Sequence, residues 1–225
     1  MVFFHSYSRI VLCTLLVLSL SVLAGTDPVE TADPGLELVE KGRHSEIRVS
    51  ADVDWASYSK IQLERATVEF RKNWVRDQRH RSGIIIREKD EERIKSDLAD
   101  LLDEVLNREL SSKAGYVFTD ASGADVMRVE PRVVDLDVIA PDRVRDYIGY
   151  SLTDSQGNMT LELDFYDSIS GELLATTTQY REDPIKGYME WTNSVTNRQA
   201  ARLMLERWTS WLREWLDEAR TGTSD

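Results

Sequence analysis

Cysteine is almost absent from this sequence. The 225 residues contain one cysteine, Cys13, which lies inside an apolar run close to the N-terminus. Disulfide bonds therefore cannot form within the chain, and the fold has to be stabilised by its hydrophobic core. A chain of this length is sufficient to build the core of one domain.

The sequence also lacks the residues and motifs of common catalytic and metal sites. Beyond the first 24 residues its histidines are His44 and His80, with no His-x-x-x-His spacing and no cysteine, so we expect no metal site. It contains no Gly-x-Ser-x-Gly motif, no phosphate-binding loop and no dinucleotide-binding fingerprint. We therefore expect no catalytic residues and no cofactor, and we predict that the protein is not an enzyme.

Basic charge is in deficit. The chain has 28 Lys and Arg residues against 40 Asp and Glu residues, which gives a formal net charge of −12. A surface this acidic repels the phosphates of nucleic acid and keeps a protein soluble. We therefore expect no nucleic-acid partner.

No apolar run is long enough for a comfortable membrane span of about 20 residues. The longest, residues 10–23, follows Arg9 and ends at small residues, with Val22 and Ala24 at the −3 and −1 positions of a cleavage site. This is the layout of a secretory signal peptide, and we predict cleavage after Ala24 and release into the periplasm. The alternative is an uncleaved membrane anchor, because apolar residues 2–4 lengthen the stretch.

The residues after this segment argue against lipid attachment. Thr26 stands where a lipoprotein would carry its lipidated cysteine, and a threonine hydroxyl cannot replace that thiol. We therefore expect that any membrane association does not use a lipidated cysteine. Residues 25–35 combine proline, glycine and acidic residues, and they are predicted to form a flexible lead-in.

Two segments have the apolar periodicity of amphipathic helices. The first, residues 89–110, has acidic residues in its first turn and Gly115 shortly after its end, as is typical of helix termini. The second covers residues 193–220. The tryptophans near or within it are Trp191, Trp208, Trp211 and Trp215. We interpret them as core residues. Trp208 and Trp215 share one face of the helix, whereas Trp211 lies about 60° away from that face, either at the rim of an apolar groove or at the edge of the contact with the sheet.

The remaining periodic segments alternate as β-strands do. A hairpin is predicted around Lys41-Gly42, a strand over residues 58–70 with one shift of face, and a second hairpin in which residues 159–167 turn back through "DSISG". The apolar pattern of residues 125–139 changes face, and a bulge near Pro131 to Val134 would restore it.

The order of strand, helix, strands and helix predicts one α+β domain over residues 36–220, followed by a disordered tail at residues 221–225. The expected architecture is a single, mostly antiparallel sheet with two helices packed on one face.

Three stretches, "DVDWASYSKIQL", "GNMTLELDFYDSISGELLA" and "RWTSWLREWLDEA", resemble a family of uncharacterised Gram-negative cell-envelope proteins. Members of that family are labelled as lipoproteins with a domain of unknown function. The resemblance covers about residues 36–220, implies an envelope location and offers no catalytic residues. Thr26 departs from the family pattern, which affects the lipid anchor and not the fold.

Two pairs of acids are candidates for carboxylate chemistry. Asp135 and Asp137 fall on one strand face, and Asp52 and Asp54 do likewise if their segment is extended. Two carboxylates on one face could hold a divalent ion or share acid–base work. The alternative interpretation is a solvated strand face, since such pairs arise by chance in a chain with 40 acids.

One segment, residues 65–81, carries an excess of positive charge. An anionic partner, such as an acidic envelope protein, a glycan or a lipid headgroup, would be attracted to it, and Trp74 would add an apolar anchor. The candidate docking residues are Arg71, Lys72, Trp74, Arg76, Arg79 and Arg81. We interpret the segment as a loop between a strand and a helix. In the alternative interpretation its cations pair with acids of neighbouring elements.

These features favour a non-enzymatic, exported module of the cell envelope that has a structural role or binds another envelope protein or an anionic envelope component. The alternative function is a carboxylate-dependent hydrolase that acts on envelope material through Asp135 and Asp137. The hydrolase requires both acids to converge in one pocket, where at least one would have a raised pKa.

Overall fold

The computed structural model describes one compact unit within residues 33–225. The described residues are 35–83, 85–139, 151–153, 157–184, 190–192 and 194–222. The predicted signal peptide, most of the lead-in and residues 223–225 lie outside them. Thr221, which the sequence assigned to the tail, belongs to the last helix. Among the described residues, no helix is long and apolar enough to cross a membrane.

Within these residues the chain forms ten strands, three α-helices and a short 3-10 helix at Trp55–Ser57. The strands are β1 (Leu36–Lys41), β2 (Ser45–Ser50), β3 (Lys60–Leu63), β4 (Thr67–Phe70), β5 (Val117–Phe118), β6 (Val126–Val138), β7 (Ser151–Thr153), β8 (Gly157–Asp167), β9 (Leu173–Glu182) and β10 (Glu190–Thr192). The helices are α1 (Trp74–Ser82), α2 (Glu88–Ser112) and α3 (Ser194–Thr221). Helices α2 and α3 confirm the two predicted helices, whereas α1 is an addition to them.

Eight strands form one mixed sheet, in the order β1-β2-β9-β8-β6-β3-β5, with β4 also paired to β6. Strands β7 and β10 pair separately. The ladders that join β1, β2, β9, β8 and β6 are antiparallel, but β3 and β4 run parallel to β6, and β3 runs parallel to β5. The predicted α+β class is confirmed, but the sheet is mixed, since three parallel ladders join its four antiparallel ones. A parallel pair requires a long crossover connection, and α1 and α2 lie within the connections that lead from β3 to β5 and from β4 to β6.

Both predicted hairpins are confirmed. Strands β1 and β2 pair antiparallel, and the Gly42 N–H donates to the Ser45 carbonyl (2.8 Å) at their connection. Strands β8 and β9 also pair antiparallel. In their turn the Asp167 carboxylate accepts from the backbone N–H groups of Ile169 (3.0 Å) and Ser170 (2.7 Å). An aspartate therefore stabilises its own turn through its side chain.

The strand predicted over residues 58–70 consists of two strands, β3 and β4. Both pair with β6, which contacts β3 as far as Val129 and β4 from Arg132 onwards. Pro131 lies between these two positions. Because proline has no N–H to donate, it is tolerated where β6 changes from one parallel partner to the next.

A β-bulge in β6 is confirmed, slightly after the predicted position. The register with β8 shifts between Val134 and Asp137, and Asp135 there has a φ of 53°, which is uncommon for a residue other than glycine. The extra residue brings Leu136 to the core side, so Val133 and Leu136 are both buried. The bulge thereby accounts for the change of face in the apolar pattern.

One hydrophobic core joins α2 and α3 to the sheet. The sheet contributes alternate residues of β6 and β8, which include Met127, Val129, Val133, Met159, Leu161, Leu163 and Phe165. The helices contribute Leu98, Leu101, Leu102, Val105, Leu106, Met204, Leu205, Trp208, Leu212 and Leu216. Because successive strand side chains point to opposite faces, this single cluster places both helices on the same face of the sheet.

The tryptophans of α3 lie in this core or at its edge. Trp208 is fully buried, and Trp215 packs edge-on against the tryptophan of the 3-10 helix, with ring centroids 5.2 Å apart. Trp211 donates its indole N–H to Glu40 of β1 (3.3 Å). Trp211 therefore makes the predicted contact at the edge of the sheet, since β1 is the edge strand. The side chain of Trp191 lies outside the described residues.

Candidate functional site

The basic segment folds largely as helix α1 and not as the predicted loop. Asn73, immediately before the helix, has a φ of 66°. Gly83, immediately after it, has the same φ and donates its N–H to the Arg79 carbonyl (3.1 Å). A glycine in this left-handed conformation is a common helix terminator. The nine residues of α1 are mostly polar, so apolar periodicity does not reveal the helix.

Trp74 holds α1 against the sheet and is not an exposed anchor. Its side chain is 1% exposed and stacks on Phe70, with ring centroids 3.9 Å apart and an interplanar angle of 6°. The indole N–H donates to the Val138 carbonyl (3.0 Å), which also accepts from the Gln78 side chain (2.9 Å). A buried tryptophan with a satisfied N–H is a packing residue. The prediction that Trp74 offers an apolar anchor to a partner is therefore corrected.

Arg71 is also engaged inside the protein. Its Nη1 lies 2.7 Å from Asp77 and its Nε lies 2.5 Å from Asp137, so one guanidinium joins α1 to the end of β6. The hydrogen bonds to Asp77 and Asp137 raise the pKa of Arg71 above its ordinary value. The charge of Arg71 is thus compensated by neighbouring acids, as the alternative interpretation of the segment expects.

Arg65 is exposed and pairs with Asp100 at 2.8 Å. The other exposed cations described in the segment are Lys72, Arg76 and Arg79. Arg76 lies 3.5 Å from Asp77. Lys72 and Arg79 have no carboxylate within 4.0 Å in the part of the chain that the structure describes. The side chain of Arg81 lies outside that part. The five candidate docking residues whose side chains are described therefore separate into two structural residues, half-buried Arg71 and buried Trp74, and three exposed cations.

The exposed cations line a concave surface between α1 and the start of α2, with a volume of about 930 Å³. We call this surface the basic cleft. Lys95, which pairs with Glu92 at 3.2 Å, adds a further cation, and two acids, Glu69 and Glu91, also line the cleft. Among its described apolar residues Ile85 is the most exposed, at 72%, and a partner can contact it where Trp74 is buried.

The two acid pairs do not form a common site. Asp135 is exposed at the bulge. Asp137 is bound to Arg71 and lines a second groove, which is separate from the basic cleft. Asp54 caps the 3-10 helix by accepting a backbone N–H (3.2 Å), and Asp52 is exposed in a turn. Among the described residues, no three His, Cys, Asp or Glu side chains form a group that could hold a metal ion.

The groove that Asp137 lines lies between α2 and α3, over the adjoining ends of β6 and β8, and has a volume of about 460 Å³. We call it the interhelical groove. Its floor consists of the buried apolar side chains of Leu98, Leu101, Leu136, Met159 and Met204. The sequence does not reveal this groove, because its walls come from segments far apart in the chain. The one hint of it in the sequence is Ala201, a small residue among the large apolar residues of α3.

Comparison with protein families gives a match over most of the chain. A family model described as "Protein of unknown function (DUF3313)" matches residues 32–212. A comparison with curated proteins gives no match.

Solved structures that resemble this chain share little sequence with it. The PelC dodecamer from Paraburkholderia phytofirmans is 11% identical with a TM-score of 0.36, and the match covers 75% of this chain and 97% of that one. A candidate lipoprotein from Caulobacter crescentus CB15 is 11% identical with a TM-score of 0.39, and coverage is 76% and 96%. A DUF330 protein from Xanthomonas campestris is 17% identical with a TM-score of 0.39, and coverage is 56% and 66%. At these TM-scores the similarities carry no functional argument.

Proposed function

This chain belongs to the DUF3313 family of proteins of unknown function, and we propose that it is a non-enzymatic, exported module of the cell envelope that docks an acidic segment of another envelope protein in its basic cleft. The observation that carries the proposal is that Lys72 and Arg79, exposed and without a carboxylate partner among the described residues, lie together with Arg76 in one concave surface of a protein of net charge −12. Carboxylates of the partner would pair with Lys72 and Arg79, which have no such pairing within the described protein.

The charge distribution supports docking in the cleft. An acidic surface repels an approaching anion, whereas cations grouped in a hollow focus the field and direct the approach. Arg76 and Arg79 present guanidinium groups, which bind a carboxylate through two parallel hydrogen bonds. Ile85 offers apolar area beside them. A short segment that contains both acidic and apolar residues fits this combination.

A carboxylate-dependent hydrolase is the less favoured function. That chemistry needs two carboxylates in one pocket. Asp137 lines the interhelical groove and is bound to Arg71, whereas Asp135 is exposed at the bulge and does not line that groove. The proposal of export rests on separate support, which is the signal-peptide layout of residues 1–24.

Charge reversal in the basic cleft tests the proposed docking. The variant Lys72→Glu/Arg79→Glu changes two exposed cations that no described carboxylate contacts, so the core should stay intact. The variant Arg43→Glu/Arg207→Glu is the matched control. It makes the same change in net charge at exposed arginines outside the cleft, and these also have no carboxylate within 4.0 Å among the described residues.

Both variants and the wild type would be crosslinked in intact native cells, and the captured proteins would be identified by mass spectrometry. We expect a partner that the wild type and the control capture and that the cleft variant loses by about tenfold or more. Capture by the wild type should weaken when the salt concentration is raised, because salt screens exposed charges. Equal capture by the two variants would contradict docking in the cleft. Absence of any captured protein that the cleft variant loses would also contradict docking of a protein segment.

A further inference from the structure

We propose that the interhelical groove binds the hydrocarbon chain of a single-chain anionic amphiphile of the fatty-acid class. The groove and the basic cleft share no lining residue among those described. The proposal therefore does not depend on the protein partner proposed above.

The groove has the size and the surface of a hydrocarbon site. Its volume of about 460 Å³ lies within the range of ligand-binding pockets. Buried apolar side chains from α2, β6, β8 and α3 form its floor. Two of them are methionines, Met159 of the sheet and Met204 of α3, and methionine side chains adapt to ligands of irregular shape.

A small residue helps to keep the groove open. Ala201 of α3 lines it where a larger side chain would take up space. Gly157 of β8 also lines it, but it is small for strand packing, because an added Cβ would be 1.8 Å from the Asp137 carbonyl oxygen of β6. At the mouth Val195 is 71% exposed. A bound hydrocarbon chain would remove this apolar surface from water.

The mouth of the groove carries more positive than negative charge. Arg198 and Arg202 share the carboxylate of Glu104, at N–O distances of 3.7 Å and 2.9 Å. Arg93 makes a long contact of 3.8 Å to Asp97. The Nε of Arg93 is buried and has no hydrogen-bond partner within the described part of the chain. A carboxylate ligand at the mouth would instead accept charge-assisted hydrogen bonds from Arg198 and Arg202 and balance their charge.

Asp137, the other acid of the groove, is held by Arg71, which it shares with Asp77, so the excess of positive charge is confined to Arg198 and Arg202, which share one carboxylate. Arginine is also well suited to binding a carboxylate. An apolar cavity that ends at arginines therefore selects a ligand with a hydrocarbon chain and one anionic end. Cationic amphiphiles would be repelled at the mouth, and uncharged ones would leave the arginines without the added acceptor.

Binding of palmitate to the purified full-length chain tests the proposal, with displacement of a fluorescent fatty acid as the readout. We expect saturable binding of palmitate and about fourfold weaker binding for each methylene removed from its chain. Uncharged hexadecanol should bind about tenfold more weakly or worse, because it lacks the charge-assisted contacts. Absence of saturable palmitate binding, or equal binding of hexadecanol, would overturn the proposal.

A pair of phenylalanine variants localises the binding. Ala201→Phe fills the groove, whereas Leu203→Phe is the matched control, because Leu203 is exposed on the same helix and does not line the groove. Both variants keep the apolar residues 10–23, so binding of palmitate to that run would not distinguish them. We expect Ala201→Phe to lower palmitate affinity by about tenfold or more and Leu203→Phe to leave it unchanged. Equal affinities would overturn the proposal.

If Ala201→Phe does not fold, as judged by circular dichroism, Arg198→Gln/Arg202→Gln takes its place at the mouth. This variant should bind palmitate about as weakly as the wild type binds hexadecanol. Unchanged palmitate affinity in this variant would overturn the proposal.

Discussion

Replacement of Trp74 by alanine would remove the largest side chain that fixes α1 to the sheet. The tryptophan is 1% exposed, and its ring is stacked on Phe70 at a centroid distance of 3.9 Å. Truncation of a buried tryptophan to alanine costs about 3–5 kcal/mol, since it removes apolar burial and leaves a cavity. That is a large share of the about 5–15 kcal/mol that stabilises a typical domain. We therefore expect Trp74→Ala to be folded but strongly destabilised.

Trp74→Phe should cost much less than Trp74→Ala. The phenylalanine can keep the stacking on Phe70 and loses the indole N–H that donates to the Val138 carbonyl. Gln78 donates to the same carbonyl at 2.9 Å, so this acceptor remains satisfied. We expect a loss of about 1–2 kcal/mol for Trp74→Phe. Gln78→Leu should cost more in the Trp74→Phe background than in the wild type, because the two donors share one acceptor.

Urea unfolding followed by circular dichroism measures these changes, and the midpoint should fall while the slope stays constant. Ile85→Ala is the control, because Ile85 is 72% exposed and exposed substitutions usually change stability by about 0.5 kcal/mol or less. If Trp74→Ala retained the wild-type unfolding free energy to within about 1 kcal/mol, the packing role of Trp74 would be refuted. Loss of partner capture in such a stable variant would restore Trp74 as a docking anchor.

Two further predictions concern strand β8 and the turn after it. Gly157→Ala should destabilise the protein in urea by more than the control Gly171→Ala. An added Cβ at Gly157 would lie 1.8 Å from the Asp137 carbonyl oxygen. An added Cβ at Gly171 would have no neighbour within 4 Å, so Gly171→Ala should cost about 1–2 kcal/mol for the φ of 72° alone. Asp167 should make stability sensitive to acid, because its hydrogen bonds, above all from the Ser170 backbone N–H, lower its pKa. A depressed folded-state pKa adds stability above the unfolded value of about 3.9, and this is lost as the pH falls through the folded value. Between about pH 5 and about pH 3 the wild type should therefore lose more unfolding free energy than Asp167→Asn; an equal loss would show that Asp167 is not responsible.

Local periodicity was sufficient to predict α2, α3 and the two hairpins. The spacing of apolar residues in these elements follows from the turn of a helix or the alternation of a strand, and neither depends on distant contacts. The same pattern indicated that β6 changes face, and the bulge at Asp135 is the reason. Helix α1 escaped prediction because its apolar residues are Trp74 and Val75 alone, and its ends are set by the backbone at Asn73 and Gly83.

The direction of strand pairing was outside the reach of periodicity. An alternating strand has the same pattern whether its neighbour runs parallel or antiparallel. Strands β3 and β4 run parallel to β6 because the intervening helices return the chain to the same end of the sheet. The division of residues 58–70 into two strands likewise lies opposite Pro131 of the neighbouring strand, which periodicity within residues 58–70 does not report.

Composition and residue order alone show that the protein is acidic, that it cannot form an internal disulfide and that residues 65–81 carry a local excess of positive charge. Which of these cations a partner can reach follows from the folded chain. Arg71 is bound by Asp137, which lies 66 positions further along the chain, whereas Arg79 has no carboxylate partner among the described residues. The energy of an ion pair depends on the distance between the charges in space and on the screening around them, and neither can be read from the spacing of residues along the chain. The interhelical groove has the same origin, because its walls meet only after α2 and α3 have packed on the sheet.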